Sequence, residues 1–508
     1  MKSLIWKVFK YKINELAGID IRSLAALRIA IGILVILDLI LRSRDLEAFY
    51  TDSGILPRTL LISKYISQWN ISIHLINGNI YSQQILFIIE GIFAVCFLIG
   101  FKTRLTNIIV WFLYSSLHLR NPLILYGGDG VIRLLLFWSM FLPMNAKWSI
   151  DSIKRPDLFK YPQKILSVAT LAVLIQPALV YIFTALLKSG TEWHGDGTAI
   201  YKALINDQAA LPFGIFLSQF PNLLKLLTYY VWWLESIGPF FLFFPIFTGQ
   251  IRIIVIILFC SLQLGIGSSL RLELFPWISC AMMIIYLPGS FWNYVHLKFY
   301  KPNSLIRKLN NNIYTLAKEI PLQQFYTYQK SVFIKDSLIL PIIYNLAVGL
   351  FLIYVLAYNL NNVKPFIKIP VHAYNLGRIL NINQRWGMYT ILSNTPAWTE
   401  IVGRLANDTF IDLKGDKPIK STDFTKPKII SKTYKSARWL FYIARLPGPD
   451  LNIKCIYLSH YLCNNWNKEH LGENALKEIE IFIVKENALE TSESNRYEKV
   501  SLYKSECR

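Results

Sequence analysis

The first 358 residues hold about nine apolar stretches separated by short polar ones, more apolar length than one water-soluble core can absorb. They run 23–41, 84–101, 105–118, 130–143, 166–187, 226–248, 251–270, 272–288 and 338–358. A span needs roughly 20 apolar residues to cross about 30 Å of hydrocarbon, so the third, fourth and eighth are short and the count lies between about eight and ten. Lys and Arg crowd the segments before residue 23, at Lys102 and Arg104, between Lys147 and Lys164, at Arg252, and between Lys298 and Lys335. The alternate segments hold fewer, among them Arg42, Arg58, Arg120 and Lys188. Basic side chains resist translocation, so this asymmetry predicts a cytosolic N-terminus and, after nine crossings, a C-terminus outside.

The expected fold class is therefore an all-α polytopic membrane bundle of about nine transmembrane helices, followed by a small β-rich extramembrane domain. A mean hydropathy of +0.37 agrees with that class. The net charge of +21 would suggest nucleic acid in a soluble protein. Here it is accounted for by basic loops held beside anionic lipid, so the expected partner is the bilayer and not nucleic acid. Residues 1–22 read as an interfacial amphipathic segment, because the apolar run that follows is too long for a removable signal. A basic cytosolic linker is expected at 296–337, a last span at 338–358, and an extracytoplasmic domain at 359–508.

In that last region WTEIVGRL and TFIDLKG alternate around an Asn407-Asp408 turn, which predicts a β-hairpin over Trp398–Leu413. Glu478–Val484 (EIEIFIV) reads as a half-exposed strand, Tyr434–Leu446 as either helix or strand, and 487–508 as loose. Cys96, Cys260 and Cys280 fall in apolar spans, where a thiol is chiefly a small packing group. An outside location permits a Cys455–Cys463 disulfide, although three cysteines, with Cys507, leave the pairing open. None of the cysteine spacings is a metal site. Asn70 and Asn407 begin glycosylation sequons, motifs short enough to arise by chance.

Several ionisable residues lie inside the apolar stretches. Arg28 and Asp38 are about 15 Å apart along one helix and cannot pair directly. A charge at mid-span costs roughly 3 kcal/mol even on a lenient scale, so each must face the bundle interior or water. One reading is a polar cavity; the other pairs Asp38 with Arg42 one turn on and leaves Arg28 alone at depth. Glu235 sits amid Trp232, Trp233, Phe240 and Phe241, which suits either a proton-exchanging carboxylate or one satisfied by Arg133 or tyrosine hydroxyls. Lys188 closes a span bent at Pro177 and precedes Trp193 and His194. It reads as a base made accessible by lost hydration, or as a lysine snorkelling to the interface beside an anchoring Trp.

The stretch Leu27–Arg58 (LRIAIGILVILDLILRSRDLEAFYTDSGILPR) resembles the opening of the HTTM (horizontally transferred transmembrane) domain family, whose relatives include the vitamin K-dependent γ-carboxylases. Asn121–Gly130 (NPLILYGGDG), Arg133–Asp151 (RLLLFWSMFLPMNAKWSID), Leu234–Phe244 and Leu287–Trp292 (LPGSFW) extend the resemblance over 20–295. Tyr181–Trp193 (YIFTALLKSGTEW) is similar to the segment with the carboxylase's catalytic lysine, which implies Lys188 as base, and Glu235, by its aromatic setting, is the second candidate catalytic group. The implied binding residues are Arg28, Asp38, Asn121, Arg133 and Trp193, and the implied cofactor is a reduced quinone. Two positions depart from the carboxylase pattern. Pro122 and Gln263 stand where histidines belong, and neither can shuttle a proton, so glutamate carboxylation is not the expected chemistry.

Two functions follow. One is a membrane enzyme acting on a lipid-soluble or peptide substrate at the outer face, with Lys188 in a cavity shared with Glu235, Arg28 or Asp38. The other is a non-enzymatic membrane component for export or maturation of a secreted peptide. A transporter stands third, since no internal repeat is visible. The 30–58 corner is expected to place Phe49, Tyr50 and Asp52 at the outer interface.

Overall fold

The computed structural model describes residues 2–154, 161–206, 208–299, 339–365, 367–390, 392, 397–415, 417–419, 426–486 and 497–507. The chain is mostly helical, with a five-stranded sheet at its C-terminal end. The principal helices are α1 (Lys2–Ala17), α2 (Ile21–Ser43), α3 (Ile80–Ile99), α4 (Thr103–Arg120), α5 (Gly127–Ser139), α6 (Val168–Leu187), α7 (Pro221–Phe241), α8 (Thr248–Ser269), α9 (Phe275–Met282) and α10 (Ile339–Val363). Two more, α11 (Ala437–Ala444) and α12 (Leu451–Asn467), belong to the C-terminal region.

Local chemistry sets the helix ends. The Asp20 carboxylate accepts the Arg22 N–H at the start of α2, and Asn79 accepts the Tyr81 N–H at the start of α3. Gly100 ends α3 in the left-handed conformation at φ 72°, where an added Cβ would lie 2.4 Å from Ser149 and 2.9 Å from the Arg28 guanidinium. Ser167 and Thr170 form a reciprocal capping box at the start of α6.

Each apolar stretch is helical, but nine spans are not confirmed. Five helices are long and apolar enough to cross a membrane: Ile21–Ser43, Ile80–Ile99, Val168–Leu187, Thr248–Ser269 and Ile342–Val363. A sixth counts if Phe275–Tyr286 and Gly289–Lys298, bent by 101°, are one span. The shortfall has physical reasons. α5 is only 13 residues long, and α4 buries Asn107, His118 and Arg120. The long helices keep apolar stripes exposed, as with Ile342, Leu346, Leu350 and Ile353 on α10 and Ile85, Ile88 and Ile92 on α3. Apolar stripes of that length on a folded chain mark a surface that faces lipid or another protein.

The bundle is built by packing α2 on α3, α3 on α4, α4 on α5, and α6 on both α7 and α10. The linker expected at 296–337 lies almost wholly outside the described residues. In the C-terminal region β1 (Ala397–Leu405), β2 (Phe410–Asp412), β3 (Lys417–Ile419), β4 (Leu476–Glu486) and β5 (Tyr497–Glu506) form an antiparallel sheet in the order β3-β2-β1-β4-β5. The Asn407-Asp408 turn joins β1 to β2, with Asp408 at φ 63° and Val402 opposite Asp412.

Three expectations are corrected. The disulfide joins Cys463 to Cys507, whereas Cys455 is free and buried, its thiol pushed up to about 11 by burial. Residues 497–506 are not loose but form β5, whose pairing with β4 brings Cys507 back to the sheet. Phe49 and Tyr50 are buried within the protein rather than set at an interface, because α11 packs Trp439 against the Phe49 ring at 4.8 Å. Asp52 is held by Arg58 at 2.7 Å; burial raises its carboxyl, and the hydrogen bonds from Arg58 more than reverse that, leaving it low.

Candidate functional site

Lys188 follows the last residue of α6, where its N–H still bonds the Ala185 carbonyl. Its side chain turns inward. The ammonium lies 2.5 Å from Glu235 on α7 and 4.1 Å above the Trp193 ring, and Lys188 and Glu235 are only 3% and 6% exposed. His194 contacts the Lys188 carbonyl at 2.5 Å and meets the Trp232 ring edge to face at 4.6 Å. Below the pair, Gln263 on α8 donates to the Tyr181 hydroxyl at 3.2 Å, and Tyr181 stacks on Phe259 at 4.1 Å. The Oε1 of Gln263 is buried with no hydrogen-bond partner among the described residues. The ammonium and the carboxylate form a buried ion pair flanked by aromatic rings.

Arg28 and Asp38 do not join that pair. Arg28 donates to the carbonyls of Leu98 at 3.3 Å, Met144 at 2.9 Å and Lys147 at 3.2 Å, and also to that of Trp148. It ties α2 to the end of α3 and to the loop after α5. Asp38 instead pairs with Arg42 at 2.6 Å, the one-turn pairing, inside a second buried centre. There Arg42 also reaches Asp129 at 2.7 Å and the Tyr50 hydroxyl at 2.7 Å. Arg438, on α11, spans both acids, reaching Asp38 at 2.8 Å and Asp129 at 2.6 Å, with Glu273 3.3 Å from its Nε. The Tyr114 hydroxyl donates to Asp38 at 3.0 Å.

Asp38, His118 and Asp129 bring ligand atoms within 4.8 Å of one another. Both carboxylates are already shared by two guanidinium groups, so the charge of this centre is balanced by arginine and the set does not suit a cation. The two carboxylate oxygens of Glu90, buried nearby on α3, have no hydrogen-bond partner among the described residues.

The remaining expected residues have framework contacts. Asn121 donates to the Phe49 carbonyl at 3.0 Å and accepts the Leu123 N–H, fixing the turn between α4 and α5. Arg133 donates to the Asn383 carbonyl at 3.3 Å. The sequence offers Arg42 as an outer-segment cation and as a partner for Asp38, but does not point to Asp129 or Arg438 as strongly. Asp129 had one signal, an acid between glycines at a helix start. Arg438 had one too, a lone cation in the otherwise apolar ARWLFYIA.

Helices of spanning length, with charged groups gathered into buried centres rather than left on apolar faces, mark a membrane protein. Residues 17–292 match the model of the HTTM domain, and the chain belongs to that family. No curated protein and no solved structure gives a significant match.

Proposed function

We propose that this chain is a multi-pass HTTM-type membrane enzyme in which Lys188 and Glu235 form a proton-transferring pair. Its substrate is a lipid-soluble molecule or a peptide met at the outer face, with the N-terminus in the cytosol and 359–508 outside. The observation that carries this reading is the 2.5 Å Lys188–Glu235 contact in a site from which water is nearly excluded. Glu235 can take the ammonium proton and leave a neutral amine, which then removes a proton from a bound substrate. Trp193 holds the cation over its ring until that transfer, and the His194 contact fixes the backbone at Lys188.

The orphaned Gln263 Oε1 suits the hydroxyl of a reduced quinone, which would supply reducing equivalents when bound. Gln263 would accept its hydroxyl proton in a hydrogen bond, with Tyr181 positioning the amide. Glutamate carboxylation is not part of the proposal.

A non-enzymatic maturation component is the second reading, favoured by Arg438, which fastens the C-terminal region to the bundle as a platform for a client. Complementation of a deletion strain separates the two. Under the enzymatic reading Lys188→Arg, Lys188→Ala and Glu235→Gln all reach wild-type abundance in the membrane yet fail to complement. Full complementation by Lys188→Ala would overturn it.

A further inference from the structure

Residues 381–389 form no regular element, yet they are held against α5, α6 and α10. Ile382, Gln384 and Trp386 are buried while Arg385 and Gly387 are exposed, the alternation of an extended chain lying in a groove. Side chains from three helices take hold of its carbonyls and amide. Asn362 on α10 donates to the Gln384 carbonyl at 2.9 Å, Arg133 on α5 to that of Asn383 at 3.3 Å, and Gln176 on α6 to the Gln384 side chain at 2.8 Å. Gly127 and Gly130, in the first turn of α5, border the segment, Gly127 tightly against Met388 and Gly130 at ordinary contact distance from Trp386. An added Cβ at Gly127 would lie 2.8 Å from the Met388 sulfur, and one at Gly130 would lie 3.5 Å from the Trp386 ring.

The segment ends at Lys188's own shelf. The Trp193 indole N–H donates to the Tyr389 carbonyl at 3.0 Å, and the Lys188 ammonium lies over the same ring. Both ends of the run are in the left-handed region, Asn381 at φ 50° and Tyr389 at φ 54°. A bulky residue held there is under backbone strain that release would relieve. The groove's donors hold two carbonyls and one side-chain amide, which suits an extended chain carrying a polar side chain at the Gln384 position, and it is filled by the chain itself.

We propose that Ile382–Tyr389 is a displaceable strap: it occupies an extended-chain groove of the membrane domain and, by pinning Trp193, closes off the Lys188–Glu235 pair. An extended peptide is the chemistry that takes its place. The strap rests on the proposed function only in naming what is gated, since its geometry stands without any role for Lys188.

The test is the rate of lysine acylation by an N-hydroxysuccinimide ester on the full chain in detergent micelles, read by mass spectrometry at Lys188 and at the exposed Lys225. Trp386→Ala and Gly127→Val, which loosen the strap from opposite sides, should each raise Lys188 acylation at least roughly tenfold and leave Lys225 unchanged. A synthetic peptide of residues 381–390 should slow Lys188 acylation again in Trp386→Ala. Unchanged Lys188 reactivity in both variants, or no protection by the peptide, overturns the proposal. If the variants unfold and all lysines react together, hydrogen exchange on the wild-type chain decides. Strap amides exchanging well before those of α6 uphold it, and equal protection overturns it. Strap gating in a chain whose Lys188→Ala variant still complements would leave the strap standing and remove the enzymatic reading alone.

Discussion

Arg438→Met tests whether the second buried centre fastens the C-terminal region to the bundle. The wild-type guanidinium makes carboxylate contacts of 2.6, 2.8 and 2.9 Å and donates to the Ile124 carbonyl at 3.0 Å. Methionine keeps most of the volume and removes every one of these bonds, leaving Asp38 and Asp129 to share Arg42. A buried pair that loses one partner strands an uncompensated charge, at a cost of roughly 3–5 kcal/mol. Replacing the acid as well should return part of that cost, because the stranded charge goes with it. The expected double-mutant coupling with Asp129→Asn is on the order of 2 kcal/mol, within the range for residues in direct contact. Stability is read by equilibrium unfolding in a fixed detergent, with limited proteolysis reporting early release of 437–467. A deficit under about 1 kcal/mol, or coupling no larger than the roughly 0.5 kcal/mol of distant sites, would refute the latch.

Three further outcomes follow. Cys507→Ser opens a disulfide of sequence separation 44, and the chain-entropy relation puts the loss at about 4 kcal/mol; a denaturation midpoint unchanged from wild type would count against that bond. Cys455, buried and free, should react with maleimide only after unfolding, and rapid labelling of the native chain would contradict its placement. His74 is fully buried, its Nδ1 2.7 Å from Gln83 and its Nε2 without a hydrogen-bond partner among the described residues, and burial pushes it down to about 4. The unfolded chain then binds the proton first, so stability falls as pH drops from 6.5 towards 4, by about 3 kcal/mol at most; His74→Gln should flatten that slope, and an unchanged slope would show that other groups set it.

Helical periodicity and apolar runs were legible because they are local. Every apolar stretch became a helix, and the Asn407-Asp408 hairpin was written in seven or eight residues either side of its turn. Span number was not legible, because hydropathy does not separate a helix wrapped by protein from one wrapped by lipid: α5 is buried along most of its length and is too short to cross. The Lys188–Glu235 pair was half legible, one partner through its motif and the other through its aromatic neighbours. Arg438 and the 381–389 run were not, since their partners lie up to 400 residues away. The pairing of Cys507 was left open for a related reason: a polar, charged C-terminal stretch hid a strand whose hydrogen bonds come from β4.

Of the two readings of α2, the one that pairs Asp38 with Arg42 and leaves Arg28 apart at depth is what the structure has. Both residues lie on the buried side of α2, with about 15 Å of helix rise between them. One end of the bundle is defined by Arg28 with Leu98, Gly100 and Ser149, and by Asp151 accepting the Thr103 N–H at the start of α4. The opposite end is defined by Asp38, Arg42, Tyr50 and Asp129, with Asn121 holding the Phe49 carbonyl. The Arg28 end is held by backbone carbonyls, whereas the charge-balanced centre of Asp38, Asp129 and Arg42 is where Arg438 docks. Lys188 closes α6 and Trp193 beside it bonds the strap, so segments after α10 contact both the Asp38–Asp129 centre and the surroundings of the amine. A mutation that loosens their grip at Arg438 should therefore also speed Lys188 acylation, although no atom of Arg438 touches the Lys188 site. Unaltered Lys188 reactivity in a folded Arg438→Met chain would show that the latch and the strap are independent.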